Sequence, residues 1–558
     1  MKRTLLTVGL LIAISSQAQV LYVNNIDGTF QAIDTKTAGN ITFNESQKQI
    51  SIGLDKGNHI TSSFCTEHIT DIAPVPNNGK ELTYTLNPTV DFDTADKNNF
   101  NEKIQTVPTD ELDEEYGDFV ENYSTSRVIT ITFSETGVKT TSLPTGVTAT
   151  INGGHIVINS TLGKIGYILK GTCPNGSLKI YSLKKFQILT NGVNLINPTG
   201  PAINIQSGKT VYFSIVDGTS NTLCDGTTYN APAIGSDGEE EDQKGTLFSE
   251  GQIIFDGYKK GTGTLEVKSL GGHAIASDDY IIIRGGNINI PSATKDGFRT
   301  KEKFIIGRTE AYSPNITINA TSNGIECTEG TLTIEAGKLD ITSGGEAIKV
   351  EYEDSDPSVI SDAYINGGYI KLTTTGEKSS AIQTTRNYIQ NGGIVEAMTN
   401  GNGSKIINSD GEVVVSGGKI TGISKGNLSG DQTSAGGIKS EGNCTIQGGT
   451  LAIECIGKGA KGINCNGELT VLGGETTILS RGEDYTGNQD DKKSHAITAR
   501  GITINNGTVV ANAYSHALTA ETSLTINAGH INAYSTNSTA LGIEAIQTGG
   551  WLLTKDAK

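Results

Sequence analysis

Five carboxylates in the middle of the chain have the type and spacing to hold a hard cation. They are Asp278 and Asp279 in "SDD", Asp296 in "KDG", Glu326 in "IECTEG" and Glu346 in "GGEAIKV". Calcium takes roughly six to eight oxygen ligands, chiefly carboxylate and carbonyl, so carboxylates gathered at one place make a candidate calcium site. A solvated acidic edge is the competing reading of the same residues. Arg299, Glu326 and Lys349 alternate in sign and read as a structural ion-pair ladder. His495 and His516 come without a third ligand and read as a shared polar turn rather than a metal pair.

A repeat is what must bring these residues together. Segments such as "AIASDDYIIIRGGNINI", "GIECTEGTLTIEAGKLDITS" and "GINCNGELTVLGGETTILS" share one design: a small and an apolar residue, a short β-rich run, a Gly or Asn turn, and another short run. The apolar marker falls at Ile275, Phe298, Ile325, Ile348, Ile382, Ile406, Ile438, Ile463, Ile497, Leu518 and Ile543. Its base period in the low twenties, with a few longer members, is one supersecondary unit repeated with loop insertions. Three short strands per period with alternating apolar residues describe one coil of a parallel β-helix, right-handed by the general rule for parallel crossovers. The Leu-rich motifs of leucine-rich repeats and the GGxGxD nonapeptide of calcium-binding solenoids are absent. Stacked coils put equivalent positions about 4.8 Å apart. In the column His273, Asp296, Asn323, Glu346, the last three are therefore oxygen-bearing side chains on adjacent rungs, with Asp278 and Asp279 nearby.

The rest of the chain sets the context. Its 558 residues include 70 Gly but only 1 Trp and 2 Met, a composition of strands and turns rather than helices. "MKRTLLTVGLLIAISSQAQ" has the basic start, apolar run and small-residue end of a secretory signal, with cleavage expected after Ala18. No cysteine stands directly after that cut to carry a lipid anchor, and no later apolar run is long enough to span a bilayer, so an exported protein is expected, secreted or held at the cell surface or in the periplasm. Without Lys2 and Arg3 the chain has 41 basic against 60 acidic side chains, a net charge of −19. That charge argues against nucleic acid and for recruited cations. The seven cysteines include no CxxC pair and read as small buried hydrophobes. The expected order is a signal peptide (1–18), a small amino-terminal β unit (19–75), an acidic linker (76–124) and the β-helix (125–553). The linker region carries 12 acidic and 3 basic residues, the composition of a solvated run.

The segment "VDGTSNTLCDGTTY" (216–229), followed in order by "LFSEGQIIFDG", "GTGTLEV", "AIASDDYIIIRGGNINI" and "KDGFRTKEKFII", resembles a secreted bacterial family of carbohydrate-binding right-handed parallel β-helices. The resemblance spans roughly residues 125 to 545. It implies binding of pectic-acid and cellulose-like polysaccharides, calcium-associated sites on the helix face, and no established hydrolysis. "SDD" and "KDG" match the family's acidic turns, so the resemblance carries Asp278, Asp279 and Asp296. Phe298 stands where a branched aliphatic is usual, and "TEGTLTI" stands where an acidic or lysine turn is common. Glu326 and Glu346 therefore rest on the residue reading.

A β-helix face is flat and rigid, so an extended polysaccharide can lie on it with little ordering cost in the protein. Calcium held by carboxylates can bridge to uronate carboxylates, which lets an acidic protein take an acidic polymer such as polygalacturonate. Tyr352, Tyr364, Tyr369 and Tyr485 stand near the insertions and could stack on sugar rings, against the alternative of half-buried strand residues. Two rivals remain. A calcium-dependent pectate lyase uses the same fold, which does not fix function, and a surface adhesin would need no sugar at all.

Overall fold

The computed structural model describes residues 19–557 apart from 99, 236–237, 353–355, 357, 488–490 and 544–545. The expected leader, residues 1–18, lies outside the described residues. The chain divides into two compact units, residues 93–411 with 417–419 and residues 1–92 with 412–416 and 420–558.

In the unit of residues 93–411 the chain is wound as a parallel β-helix solenoid with three short strands per coil. His273–Ser277, Ile281–Ile283 and Asn287–Ala293 make one coil, and Phe298–Thr300, Lys303–Ile306 and Asn315–Ala320 make the next. Each strand pairs in parallel with its equivalent. The turn into the third strand passes through left-handed backbone, with Gly286 at φ +98° and Gly337 at φ +98° one position before the strand. Glycine adopts that conformation without a Cβ penalty, which explains the recurring Gly at this point of the repeat.

The marker column pairs in register from Ile275 through Phe298, Ile325 and Ile348 to Ile382. All five side chains are buried and stack as an aliphatic and aromatic ladder. Each contributes about 1.5–3 kcal/mol of hydrophobic stabilisation as an upper estimate. Two markers shift: Ile382 faces Ile407 rather than Ile406, and in the other unit Leu518 faces Leu541 rather than Ile543. Adjacent isoleucines at 406 and 407, and two apolar residues two positions apart at 541 and 543, leave the phase open in the sequence. The series also begins earlier than Ile275, running from Ile156 through Leu178, Ile203 and Leu247.

The acidic segment does not hang free. Within this unit it runs against the coils, where Gln105 N donates to Arg308 O (2.8 Å), Lys103 N to Glu335 O (3.0 Å) and Gly368 N to Asn101 O (2.8 Å). Its carboxylates meet cations there, Glu102 with Arg308, and Asp118 with Lys303 at 3.1 Å. Arg284, buried at 1% exposure, lies over the Phe119 ring at 4.1 Å and donates to Asp118 O. A charge run reads as solvated only while its partners, some two hundred residues away, are out of view.

In the other unit the residues of the expected amino-terminal β unit form strands that include Val20–Asn25, Ile41–Asn44 and Gln49–Gly53. Val20–Asn25 pairs antiparallel with Phe30–Asp34 and Ile69–Ala73. The strands Ile41–Asn44, Gln49–Gly53 and Ile60–Cys65 form an antiparallel meander, and the last of them pairs antiparallel with Trp551–Lys555. Trp551–Lys555 is in turn the last parallel strand of the coils, paired with His530–Ser535. The end of a β-helix presents unpaired N–H and C=O groups, an aggregation hazard, and this antiparallel strand covers them. Trp551 and Leu553 are buried with Leu21, Val23, Ile50 and Phe64 in one core.

The seven cysteines are all free, with only Cys224 partly exposed. No helix among the described residues is long and apolar enough to cross a membrane.

Candidate metal centre

The register creates the first part of the site. Ser249 pairs with Ser277 in adjacent coils, so Glu250 and Asp278, each one residue further on, leave the sheet as stacked neighbours. Asp278 N also donates to Ser249 O at 3.0 Å. Asp242 joins them from the loop ahead of the strand Gly245–Ser249, its carbonyl held by Gln206 Nε2 at 2.9 Å. Asp242, Glu250 and Asp278 each offer a carboxylate oxygen, all within 4.8 Å of one another.

Three carboxylates this close repel one another. Burial and then the charges of Asp278 and Asp242 push the Glu250 carboxyl up to about 7. The Asp278 carboxyl is also raised, by burial first. Lys244 relieves part of this repulsion, its Nζ lying 2.8 Å from Asp242 Oδ2 and 2.5 Å from Asp278 Oδ2. Burial works against that ammonium, but the two hydrogen-bonded carboxylates hold its pKa above the ordinary lysine value. The donor set fits a divalent hard cation: oxygen only, excess negative charge, and a place where a positive charge already sits. Asp242, Glu250 and Asp278 would hold such an ion, which would supply positive charge to an anionic ligand.

The five carboxylates singled out in the sequence separate. Asp278 belongs to the triad just described. Asp279, its neighbour, accepts from Gln252 Nε2 and has its carboxyl pushed up to about 6 by burial and by Glu302. Asp296 and Glu326 come together elsewhere in a buried network. Asp296 lies 2.9 Å from His273 Nδ1, and Glu326 lies 2.9 Å from Arg299 Nη1 and 3.4 Å from Lys349 Nζ. The Arg299, Glu326, Lys349 column is thus the ion-pair ladder its alternating signs predict. Burial and then the charge of Asp296 push the Glu326 carboxyl up to about 7.

The column His273, Asp296, Asn323, Glu346 carries a second ladder, between side chains and backbone. Asp296 N donates to His273 Nδ1 (3.3 Å), Asn323 N to Asp296 Oδ1 (2.8 Å) and Glu346 N to Asn323 Oδ1 (3.0 Å). The Asp296 and Asn323 side-chain oxygens each accept the backbone N–H of the next coil, so those oxygens are already committed to the fold. The same device recurs in the other unit, where His516 N donates to His495 Nδ1 at 3.2 Å beneath stacked rings.

The tyrosines also differ. Tyr364 is half-buried with its hydroxyl on Asp362 Oδ2 at 2.9 Å, and Tyr352 is likewise half-buried. Tyr369 is buried, its hydroxyl on Glu396 and its ring 6.1 Å from that of Phe100 in the acidic segment. Its ring is therefore taken by the protein itself. Tyr485, in the other unit, is half-buried.

Asp242 and Glu250 stand ahead of Ile275, where the recognisable marker series begins. Setting "LFSEG" over "AIASDD" puts Glu250 beside Asp278, and that alignment is the signal that reveals the pair.

Fold and site together define a parallel β-helix that carries an acidic, cation-ready group on one coil edge. The chain belongs to the family of carbohydrate-binding domain-containing proteins, which matches residues 152–485 and 425–548. Among solved structures, it is similar to the polysaccharide lyase-like protein from C. thermocellum, seen as a gadolinium derivative. That likeness has 21% identity and a TM-score of 0.36, over 51% of this chain and 95% of the other. No curated protein matches the chain.

Proposed function

We propose that the protein is a secreted, non-catalytic carbohydrate-binding β-helix that takes an acidic plant-type polysaccharide, of the polygalacturonate or pectin class, with the help of calcium. The observation that carries this reading is the Asp242, Glu250, Asp278 triad on adjacent coils. A net charge of −19 for the chain without its leader would repel a polyuronate; a divalent ion held by the triad reverses that sign locally and leaves coordination positions for uronate oxygens. Tyr352 and Tyr364, half-buried in the same unit, are assigned to stacking on sugar rings. Export follows from the leader at residues 1–18, and the destination is the medium, the cell surface or the periplasm.

Binding is favoured over lyase chemistry by the state of the nearest bases. A lysine or arginine abstracts a proton only when it is itself unprotonated. Lys244 is held charged between two carboxylates, and Arg299 is bound to Glu326. The test is retention on polygalacturonate with calcium and then with chelator, while ultraviolet absorbance follows unsaturated product. Calcium-dependent retention without product supports the binder; accumulating product assigns a lyase; absence of both leaves the adhesin.

A further inference from the structure

Within the unit that contains the amino-terminal strands, a cavity of about 250 Å3 opens between those strands and the last coils. Asn25, Asp27, Phe64, His68, His530 and Trp551 are among its lining residues. It shares no residue with the carboxylate triad.

Its walls are built rather than incidental. Trp551 Nε1 donates to Ser62 Oγ at 2.7 Å and to Gln31 Oε1 at 3.3 Å, which fixes the indole. The His530 ring stands at 82° to it with centroids 5.8 Å apart. Gly529 and Gly550 add bare backbone to the lining. The polar groups have spare capacity. Asp27 uses Oδ1 for Thr29 N (2.9 Å) and Thr29 Oγ1 (2.6 Å). Among the described residues its Oδ2 is not hydrogen-bonded, nor are the imidazole nitrogens of His68 and His530. Burial lowers the pKa of His530, so its imidazole is neutral and offers both a donor and an acceptor.

Aromatic and aliphatic walls with a few hydrogen-bonding groups at one side match the two-sided chemistry of a sugar ring, apolar across its C–H face and hydroxylated at its edge. The volume lies just under the roughly 300–1,000 Å3 of sites for larger ligands, so one ring fits and an oligomer does not. Asp27 disfavours an anion, and one carboxylate is too little for a metal ion. We infer that this cavity binds a single neutral pyranose ring, free or at the end of a chain, with hydroxyls on Asp27, His68 and His530. The choice of a sugar rests on the carbohydrate-binding reading above; the place does not.

Trp551 is the one tryptophan of the sequence, so tryptophan emission reports this cavity alone. The mature chain is titrated with glucose, galactose, mannose and xylose, with galacturonate as the charged control, and in parallel with short neutral oligomers and long polymer at equal sugar concentration. A saturable change with a neutral sugar is expected, following the number of free sugars or chain ends. His68→Ala and Asp27→Asn, both at exposed positions, should each weaken it about tenfold, the effect of losing one hydrogen bond to the ligand. Emission unchanged by every sugar, or a response undiminished in the double variant, overturns the assignment. Retention on polygalacturonate, measured on the same samples, separates the two readings: its loss without loss of the emission change defeats the calcium-bridged binder and leaves the cavity standing.

Discussion

Phe64, in the amino-terminal unit, and Trp551, near the carboxyl end, are cross-strand partners in one antiparallel ladder. Nearly five hundred residues of sequence separate them, yet their side chains share one buried core. The amino-terminal unit is thereby a cap on the last coil.

The cap predicts a stability effect that one fluorophore can read. Phe64→Ala should cost about 3–5 kcal/mol in the unit holding Trp551, lowering the urea midpoint followed by tryptophan emission. An unchanged midpoint would contradict the cap.

The two polar sites of the coils predict opposite phenotypes. Asp278→Asn should reduce calcium affinity at least about tenfold while leaving thermal stability nearly unchanged, since Asp278 is only partly buried. Asp296→Ala removes the acceptor for Asn323 N and leaves that N–H without its partner, a loss of about 1–3 kcal/mol. Calcium affinity should stay at the wild-type level in Asp296→Ala. Calorimetric titration and thermal denaturation of both variants check this; a shared phenotype would merge the two sites.

Asp256 predicts a pH dependence. Its carboxyl is 2% exposed and is pushed up to about 7, by burial and then by the charge of Glu121. An acid whose folded pKa lies above its unfolded value of about 4 binds its proton more tightly when folded. Its contribution is complete below pH ~4 and is lost as the pH rises through about 7. Stability should therefore fall between mildly acidic and mildly basic pH, and Asp256→Asn should flatten that fall by about 1.4 kcal/mol per pKa unit removed. Parallel curves for wild type and variant would show that Asp256 does not titrate in this range.

What the sequence discloses of this molecule is its local periodicity. Three strands per coil, the column from Ile275 to Ile382, the Arg299, Glu326, Lys349 ladder and the polar amino-terminal strands all follow from residues near one another along the chain or one period apart. The phase is lost at Ile406 and Ile543, where a second apolar residue stands within two positions, and a late starting phase hides Glu250. Contacts across long separations leave no periodic trace. Phe64 with Trp551, and Asp118 with Lys303, are invisible until the chain is folded, and for the same reason Tyr369 reads as available although Phe100 and Glu396 hold it. Asp296 stands out in the sequence for its oxygen, and only the backbone of the next coil shows how that oxygen is used.

The claim at the centre of the account is that Asp242, Glu250 and Asp278 hold the cation that admits an acidic polysaccharide. Calorimetric titration of the mature protein with calcium, repeated with Asp242→Asn/Glu250→Gln/Asp278→Asn and followed in each case by polygalacturonate, tests it directly. Saturable calcium binding and calcium-dependent polysaccharide binding are expected in the wild type, with both lost in the triple variant while its thermal midpoint is retained. Calcium and polygalacturonate bound equally well by the triple variant would contradict it.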